Sequence, residues 1–254
     1  MRASGNTVDP AEVARFAAQA ASWWDPAGSF RPLHRLNPAR LRFIRDELIG
    51  HFARDSRALT PFEGLDLADI GCGGGLIAEP MARLGFQVTG VDADADAIEI
   101  AQAHGQASNL KIDYRVATVE SLVRSRRRFD AVLALEIVEH VTDPQPFLAA
   151  CGSLLKPGGA FIGATINRTP QSYALAIVGA EYVMRWLPRG THDWNRFLRP
   201  SEFVLGLRRA GLTATGLKGL RYRLTNGDWA PTDNLSVNYM VMAAKKKIGQ
   251  ASVG

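Results

Sequence analysis

The sequence predicts an α/β protein in which a mostly parallel sheet carries helices on both faces. From Leu65 onward, short apolar runs alternate with segments of helical periodicity. This alternation is typical of strand–helix–strand units with right-handed crossovers. A glycine-rich stretch also follows the first apolar run directly, as it does where a strand enters a helix through a tight loop. The 254 residues suffice for one large domain or for one domain with an added cap.

The first 60 residues are predicted to be helical. Apolar residues recur at helical spacing around Val13 and Phe16, and again from Leu41 to Ile49. The stretch between them, WWDPAGSFRPLHRLNP, combines turn residues with aromatic residues and is too apolar for a linker. We therefore predict a structured N-terminal helical cap, residues 1–60, on a main domain of residues 61–244.

The main domain is predicted to contain five strands in its first half. They are LDLADIG, FQVTGVD, IDYRVAT, FDAVLALE and AFIGATIN, and the helices between them are LIAEPMARLG, ADAIEIAQAHG and FLAACGSLL. A short basic crossover precedes the fourth strand, and LKPGG is predicted to be a turn. A helix, SEFVLGLRRAG, and two late strands, ATGLKGLRY and SVNYMVMAA, follow a lid insertion at about 168–194. Residues 245–254 are predicted to be a disordered tail.

The composition is that of a soluble globular protein, with 46% hydrophobic residues and a formal net charge of +5. No apolar run approaches the roughly 18 residues of a membrane-spanning helix. Two cysteines, Cys72 and Cys151, cannot form a disulfide framework, so we expect a reducing, cytoplasmic location. The positive charge is compatible with nucleic acid or with an anionic membrane surface, and indicates neither by itself.

The clearest chemical motif is DIGCGGG, Asp69 to Gly75, which leaves a strand and enters a helix. Glycines let a backbone approach a ligand closely, and a helix N-terminus offers free N–H groups. Leu76 stands where a dinucleotide motif needs its third glycine, and no lysine follows as in a P-loop. Asp92 ends the next strand, where an acid can accept hydrogen bonds from both ribose hydroxyls.

A second cluster, Glu136, Glu139 and His140, follows the strand FDAVLALE. If the strand ends in a helical turn, these residues share one face at i, i+3 and i+4. Two carboxylates suit Mg²⁺ or Mn²⁺, and the histidine adds Zn²⁺. The spacing alone leaves open whether the cluster binds a metal, acts as acid and base, or only caps and packs.

With DIGCGGG, GVD, FDAVLALE and LKPGG, residues from about Leu65 to Asn167 resemble a class I S-adenosylmethionine-dependent methyltransferase. The resemblance implies a Rossmann-like, seven-stranded, mostly parallel sheet with its last strand antiparallel. It also implies that the Gly71 to Gly75 loop faces the methionine part of S-adenosylmethionine, with Gly71 and Gly73 in contact. Asp92 would hold the ribose, and Thr118 and Val119 would border the adenine.

The residues on both sides of this region, together with EIVEHVTDP within it, make the resemblance more specific. PLHRLNPARL, EIVEHVTDP, VGAEYV and PRGTHDW make the chain similar to the ubiquinone biosynthesis O-methyltransferase family over nearly its whole length. That family methylates phenolic oxygens of 2-polyprenyl-6-hydroxyphenol and 3-demethylubiquinol. The resemblance implies that Arg40 contacts the methionine carboxylate and that Leu135 lines the cofactor through its backbone. It further implies a divalent metal, Mg²⁺ or else Mn²⁺ or Zn²⁺, on Glu136, Glu139 and His140.

O-methylation needs a phenolate, and a free phenol has a pKa of about 10. A general base can take the proton, or a metal can stabilise the oxyanion. Besides the cluster Glu136, Glu139 and His140, His34 and His192 are candidate bases. We keep His192 in reserve, with Asp193 beside it to orient the ring.

The lid insertion is apolar, and arginines flank its Trp186 and Leu187. Such a segment predicts either an ordinary lid over the site or peripheral contact with the inner face of a bacterial membrane. A complex with other ubiquinone-biosynthesis proteins is a further expected partner.

Three alternative functions remain compatible with the sequence. A nucleic-acid methyltransferase is disfavoured because EIVEH occupies the place of the Asn/Asp-Pro-Pro-aromatic motif, so we expect no nucleic acid partner. Methylation of another phenol or amine is disfavoured only by the family resemblance of the N-terminal cap and the lid insertion. A binding module without catalysis is disfavoured by the intact glycine loop with Asp92.

Overall fold

A computed structural model of the protein describes residues 6–175, 193–223, 225 and 228–247. In this part of the chain eight strands form one sheet. They are β1 (Asp66–Ile70), β2 (Gln87–Asp92), β3 (Asp113–Val116), β4 (Phe129–Leu135), β5 (Leu155–Ile166), β6 (Leu212–Arg223), β7 (Asp228–Thr232) and β8 (Asn238–Lys245). Their order across the sheet is β3-β2-β1-β4-β5-β8-β6-β7.

The first five strands are mutually parallel, and the remaining pairs are antiparallel. The strand order reverses direction between β1 and β4, so the loops after β1 and β4 diverge and leave a crevice at the carboxyl ends of the strands. Because β8 runs antiparallel to β5, with Asn238 opposite Ile166, the beginning of β8 lies at that same edge.

Eight α-helices accompany the sheet in the described ranges. They are α1 (Pro10–Ala17), α2 (Arg31–Phe52), α3 (Ala78–Arg83), α4 (Ala95–Ala107), α5 (Val119–Arg124), α6 (Pro144–Leu154), α7 (Pro170–Ser172) and α8 (Pro200–Arg209). Short 3-10 helices lie at Ala20–Ser22 and Trp194–Arg196. None of the helices described is long and apolar enough to cross a membrane.

Alternate residues of each strand supply two hydrophobic cores, one on each face of the sheet. On β4, Leu133 belongs to the core that contains Ile44 and Leu48 of α2. Its neighbour Val132 belongs to the other core, with Phe147 of α6 and Phe203 of α8. Helix α2 therefore forms part of one layer of the main domain, although it lies within the 1–60 segment that the sequence assigns to a cap.

The parallel α/β fold predicted from the sequence is confirmed, and three details differ. The sheet has eight described strands rather than seven, because β7 pairs with β6 and extends the edge. The basic crossover before β4 contains α5, whose first turn is capped reciprocally by Thr118 and Ser121. The LKPGG turn belongs to a single long strand, β5. The predicted 168–194 lid and 245–254 tail lie largely outside the described residues.

Candidate active site

A cavity of about 740 Å³ lies at the carboxyl ends of the parallel strands. Every cofactor-binding residue predicted from the sequence lines it. These residues are Arg40, Gly71, Gly73, Asp92, Thr118, Val119 and Leu135. The cluster of Glu136, Glu139 and His140 lines the same cavity. The two motifs are thus brought together although about 60 residues separate them in the chain.

The glycine loop has the backbone geometry that its residues suggest. Gly71 and Gly73 have φ angles of 73° and 50°, in the left-handed region. A Cβ at Gly71 would lie 2.3 Å from Ile137 Cδ1, and one at Gly73 would lie 2.4 Å from the Trp23 ring. Both positions therefore exclude a side chain for conformational and steric reasons.

Asp92 connects the glycine loop to the next strand. Its Oδ2 accepts a 2.8 Å hydrogen bond from the Gly73 amide, and its Oδ1 accepts one of 3.0 Å from Asp94 N. Burial raises the pKa of Asp92, and the backbone amides of Asp94 and Gly73 partly offset this increase. The carboxylate is thus fixed at the cavity wall, where an acid next to ribose is expected.

Asp69, the first residue of the motif, is buried beneath the loop, and its Oδ2 has no hydrogen-bond partner among the described residues. Burial, followed by the charge of Asp92, raises the pKa of Asp69 to about 7. A neutral carboxyl can remain buried without a counter-ion, whereas burial of the charged form is unfavourable because the carboxylate loses its hydration.

Two tryptophans from the N-terminal segment cover the glycine loop. Trp24 Nε1 donates a 2.8 Å hydrogen bond to Gly74 O, and its ring stacks on His104 at 3.4 Å. Trp23 lies against Gly73 and stacks on Phe30 at 3.7 Å. The sequence placed these aromatic residues in a cap but did not indicate this contact.

Arg40 forms a buried ion pair with Glu136. Arg40 Nη2 lies 2.5 Å from Glu136 Oε1, and its side chain is only 5% exposed. Glu136 has a φ of 51°, which turns the chain away from the β4 direction directly after the strand. The guanidinium lines the cavity and carries an unpartnered Nε, so it could also bind a carboxylate of a ligand.

Glu139 and His140 have different partners. Glu139 Oε2 accepts a 2.9 Å hydrogen bond from the Thr165 hydroxyl. Burial, followed by the charge of Glu136, raises the pKa of Glu139 to about 7, while His140 acts in the opposite direction. His140 Nδ1 lies 2.7 Å from Oε2 of Glu12 in α1. The edge of Phe16 also packs on the imidazole.

The three residues do not form the metal site that the sequence and the family resemblance suggested. The left-handed Glu136 prevents the helical turn on which the shared face depended. Instead, Glu136 binds Arg40, Glu139 binds Thr165 and His140 binds Glu12. Within the described residues, no group of three His, Cys, Asp or Glu side chains is arranged to hold a metal ion. The described residues therefore give no support for a divalent metal at this cluster.

Of the other two candidate bases, only His34 lies within the described residues. His34 Nε2 lies 2.8 Å from Trp23 O. This hydrogen bond gives the imidazole a structural role, because it holds the Trp23 segment. His192 lies outside the described residues. Asp193, predicted to orient it, accepts a 2.9 Å hydrogen bond from Asn195 N and caps a 3-10 helix.

Glu12 is the site residue that sequence reasoning missed. Burial opposes its ionisation, but the hydrogen bond and charge of His140, with Arg15 and Arg196, lower the pKa of Glu12 overall. Helix α1 is held in place by hydrogen bonds from Thr7 to Glu120 and from Arg196 to Asp9. A contact between residues 128 positions apart leaves no local pattern in the sequence.

The structure and sequence resemble known methyltransferases. A family model described as a methyltransferase domain matches residues 68–163. A SAM-dependent methyltransferase from Thermotoga maritima, described as a possible histamine N-methyltransferase, is 17% identical with a TM-score of 0.60, over 93% of this chain and 99% of that one. Magnesium protoporphyrin IX methyltransferase from Synechocystis with bound SAH is 15% identical with a TM-score of 0.56, over 84% and 86% of the chains. These similarities concern the fold.

Two curated relatives are much more similar in sequence. The protein named ubiquinone biosynthesis O-methyltransferase from Paramagnetospirillum magneticum is 52% identical, over 94% of this chain and 96% of its own. The protein of the same name from Ruegeria pomeroyi is 52% identical, over 97% of this chain and 100% of its own. The similarity therefore extends over α1, α2 and the strands after β5, well beyond the matched domain.

Proposed function

This chain belongs to the ubiquinone biosynthesis O-methyltransferase family, and on that premise we propose how its residues carry out methyl transfer. The chain is a class I S-adenosylmethionine-dependent O-methyltransferase of ubiquinone biosynthesis. Its proposed substrates are polyprenylated catechols, 2-polyprenyl-6-hydroxyphenol and 3-demethylubiquinol. The contact between Glu12 and His140 at the wall of the cavity carries the mechanistic part of the proposal.

S-adenosylmethionine would bind along the loops after β1 to β4. The amides of the Gly71 to Gly75 loop would face its methionine part, and Arg40 would pair with the methionine carboxylate. Asp92 would accept hydrogen bonds from the ribose hydroxyls. Thr118, Val119 and the Leu135 backbone would complete the contact with adenine and the cofactor. These assignments are supported by the common cavity that all these residues line.

His140 would act as the general base. Because the Glu12 carboxylate can only accept, it selects the imidazole tautomer with hydrogen on Nδ1 and a lone pair on Nε2. Nε2 would take the phenol proton as the oxygen attacks the methyl carbon. The carbon–sulfur bond would break with its electron pair left on sulfur, which would give S-adenosylhomocysteine and the methyl ether. Glu139, buried next to His140, would hydrogen-bond to the second hydroxyl of the catechol.

The test is methyl transfer to a short-chain 3-demethylubiquinol by His140→Gln. We expect kcat to fall by about 10²–10⁴, the range for loss of a general base, with unchanged affinity for S-adenosylhomocysteine. His51→Gln is the matched control, since His51 bonds to Gly158 O and does not line the cavity. A His140 variant with wild-type kcat would remove the imidazole from the mechanism.

The metal implied by the family resemblance is the alternative source of a phenolate. It is examined by the same assay after EDTA treatment, followed by addition of Mg²⁺, Mn²⁺ or Zn²⁺. Turnover that survives EDTA supports proton transfer to His140. Turnover that disappears and returns with one of the ions would replace this step by metal-assisted ionisation of the substrate.

We further propose that the protein works in the cytoplasm, on the inner face of a bacterial membrane. There it would contact lipid and other ubiquinone-biosynthesis proteins. Tyr173 and Leu175, at the described start of the 168–194 segment, are 49% and 58% exposed. Apolar side chains at such a position favour an interfacial contact. Binding to anionic liposomes should weaken in Trp186→Glu and Leu187→Glu, and unchanged binding would contradict the lipid contact.

A further inference from the structure

The cavity continues well beyond the residues that the proposed chemistry uses. Asp92 on β2 and Leu135 on β4 bound the cofactor region, and these strands are two positions apart in the sheet. The lining continues past Ile166 at the end of β5 to Leu220 and Tyr222 of β6. From β4 to β6 there are three strand spacings, or about 14 Å at roughly 4.8 Å each. This part of the cavity is longer than the space that one aromatic ring beside His140 would occupy.

Apolar side chains form much of the lining of this extension, together with the polar residues Thr232, Asn234, Ser236 and Asn238. One wall is the beginning of α2, where Leu33 and Leu36 are half-buried and line the cavity. Another part of the lining is the hairpin of β6 and β7, where Tyr222 pairs with Trp229 and their rings lie 5.6 Å apart. Val237, just before β8, also lines this part.

Three charged residues on these parts of the lining, Arg31, Arg35 and Arg221, are exposed to solvent. Apolar side chains that remain half-buried in a cavity gain free energy when a hydrophobic ligand covers them. Apolar and aromatic side chains combined with a small number of polar groups are the usual composition of a site for a small molecule.

We propose that this extension, formed by Leu33, Leu36, Leu220, Tyr222, Trp229 and Val237, binds the first isoprene units of the substrate's polyprenyl tail. The inference rests on the proposed function, because it assigns a second part of the same substrate. The catechol lies near His140, and the tail runs across the ends of β5 and β8 towards β7. Strand β7 is the strand by which the sheet exceeds the expected seven, and it supplies Trp229 to the wall.

The experiment compares two substrates, 3-demethylubiquinol with a two-isoprene tail and the same quinol with methyl in place of the tail. With the wild-type enzyme we expect kcat/KM to be at least about tenfold higher for the substrate with the tail. Trp229→Ala and Leu33→Asn should remove most of this preference. Both variants should retain the rate on the tailless quinol within about twofold and an unchanged Kd for S-adenosylhomocysteine.

Leu205→Asn is the matched control for Leu33→Asn. Leu205 is a 46% exposed leucine on helix α8 that does not line the cavity, and its variant should keep the full preference. Thermal unfolding checks the integrity of each variant. If Trp229→Ala fails to fold because β7 detaches, Leu33→Asn on helix α2 decides the question.

The outcomes separate the two proposals. A wild-type enzyme that methylates both quinols equally well, or variants that slow both substrates to the same extent, would overturn the tail site and leave the methyltransferase function intact. A wild-type enzyme that methylates neither quinol would contradict the proposed function itself.

Discussion

Arg40 Nη2 lies 2.5 Å from Glu136 Oε1, across 96 positions of the sequence, and this ion pair forms part of the cavity wall. Arg40 is the residue that the family resemblance assigns to the methionine carboxylate, and Glu136 is one that it assigns to a metal. The structure joins them to each other. If Arg40 pairs with the methionine carboxylate, as proposed, that carboxylate would share the guanidinium with Glu136 or displace it.

This relationship predicts opposite effects of changing its two members. Arg40→Lys should raise the Kd for S-adenosylhomocysteine about tenfold or more, because lysine loses the planar pair of donors. Glu136→Gln should lower that Kd, because a competing negative charge is removed. Isothermal calorimetry measures both, and Arg45→Lys, at a half-buried position on the same helix that does not line the cavity, is the control. If Glu136→Gln weakens binding as much as Arg40→Lys, the pair does not compete with the cofactor.

Glu12 and His140 should act as one unit in catalysis. We expect Glu12→Gln to reduce kcat about tenfold, since the imidazole loses the partner that fixes its tautomer. The double variant with His140→Gln should be no slower than His140→Gln alone, because the positioning residue has nothing left to position. Single-turnover assays give the coupling between the two residues.

The control for this pair is Arg15→Gln, which removes another ionic partner of Glu12 and leaves the imidazole contact in place. Its kcat should stay close to the wild-type value. Strictly additive losses in the double variant would show that Glu12 affects the reaction independently of His140.

Gly73→Ala should weaken cofactor binding more than tenfold. The new Cβ would have an unfavourable φ of 50° and would lie 2.4 Å from the Trp23 ring, so either the loop or the tryptophan must move. Gly50→Ala is a matched control within α2, where a Cβ has nothing within 4 Å. We expect that variant to gain about 0.5–1 kcal/mol of stability with unchanged affinity. A Gly73 variant that binds S-adenosylhomocysteine normally would show that the loop tolerates the shift.

Asp69 should make the folded state less stable as the pH rises. Its pKa is raised from 3.8 to about 7, so between these values the folded state binds more protons than the unfolded state. The free energy of unfolding therefore decreases with pH across this window. Relative to Asp69→Asn, the wild type should lose about 2–3 kcal/mol between pH 5 and pH 8.

Urea unfolding at several pH values measures this dependence, with Asp46→Asn, whose side chain is 59% exposed, as control. Carboxyls with a lowered pKa, among them Asp9 and Glu12, stabilise the fold above their ordinary pKa. Their contribution is lost only in acid below that range, outside the window. Equal slopes for wild type and Asp69→Asn would mean that Asp69 is ionised in the folded protein.

The fold was predictable because its determinants are local. The alternation of apolar runs with helical segments identified the parallel strands, and DIGCGGG with Asp92 located the loop and acid on neighbouring strands. Strand β7 was missed because DWAPT carries a proline and no clear alternation. It is a strand through its pairing with β6 at the sheet edge, where a proline is tolerated.

The sequence by itself determined the class of fold, the family and several of the residues that line the cavity at the carboxyl ends of the strands. Only the tertiary structure decided what Glu136, Glu139 and His140 bind. The sequence suggested a common face, yet a left-handed residue at Glu136 directs each side chain to a different distant partner, Arg40, Thr165 and Glu12 respectively. Periodicity records which face of an element is buried. The partner of a buried charge depends on which other elements the fold brings to it.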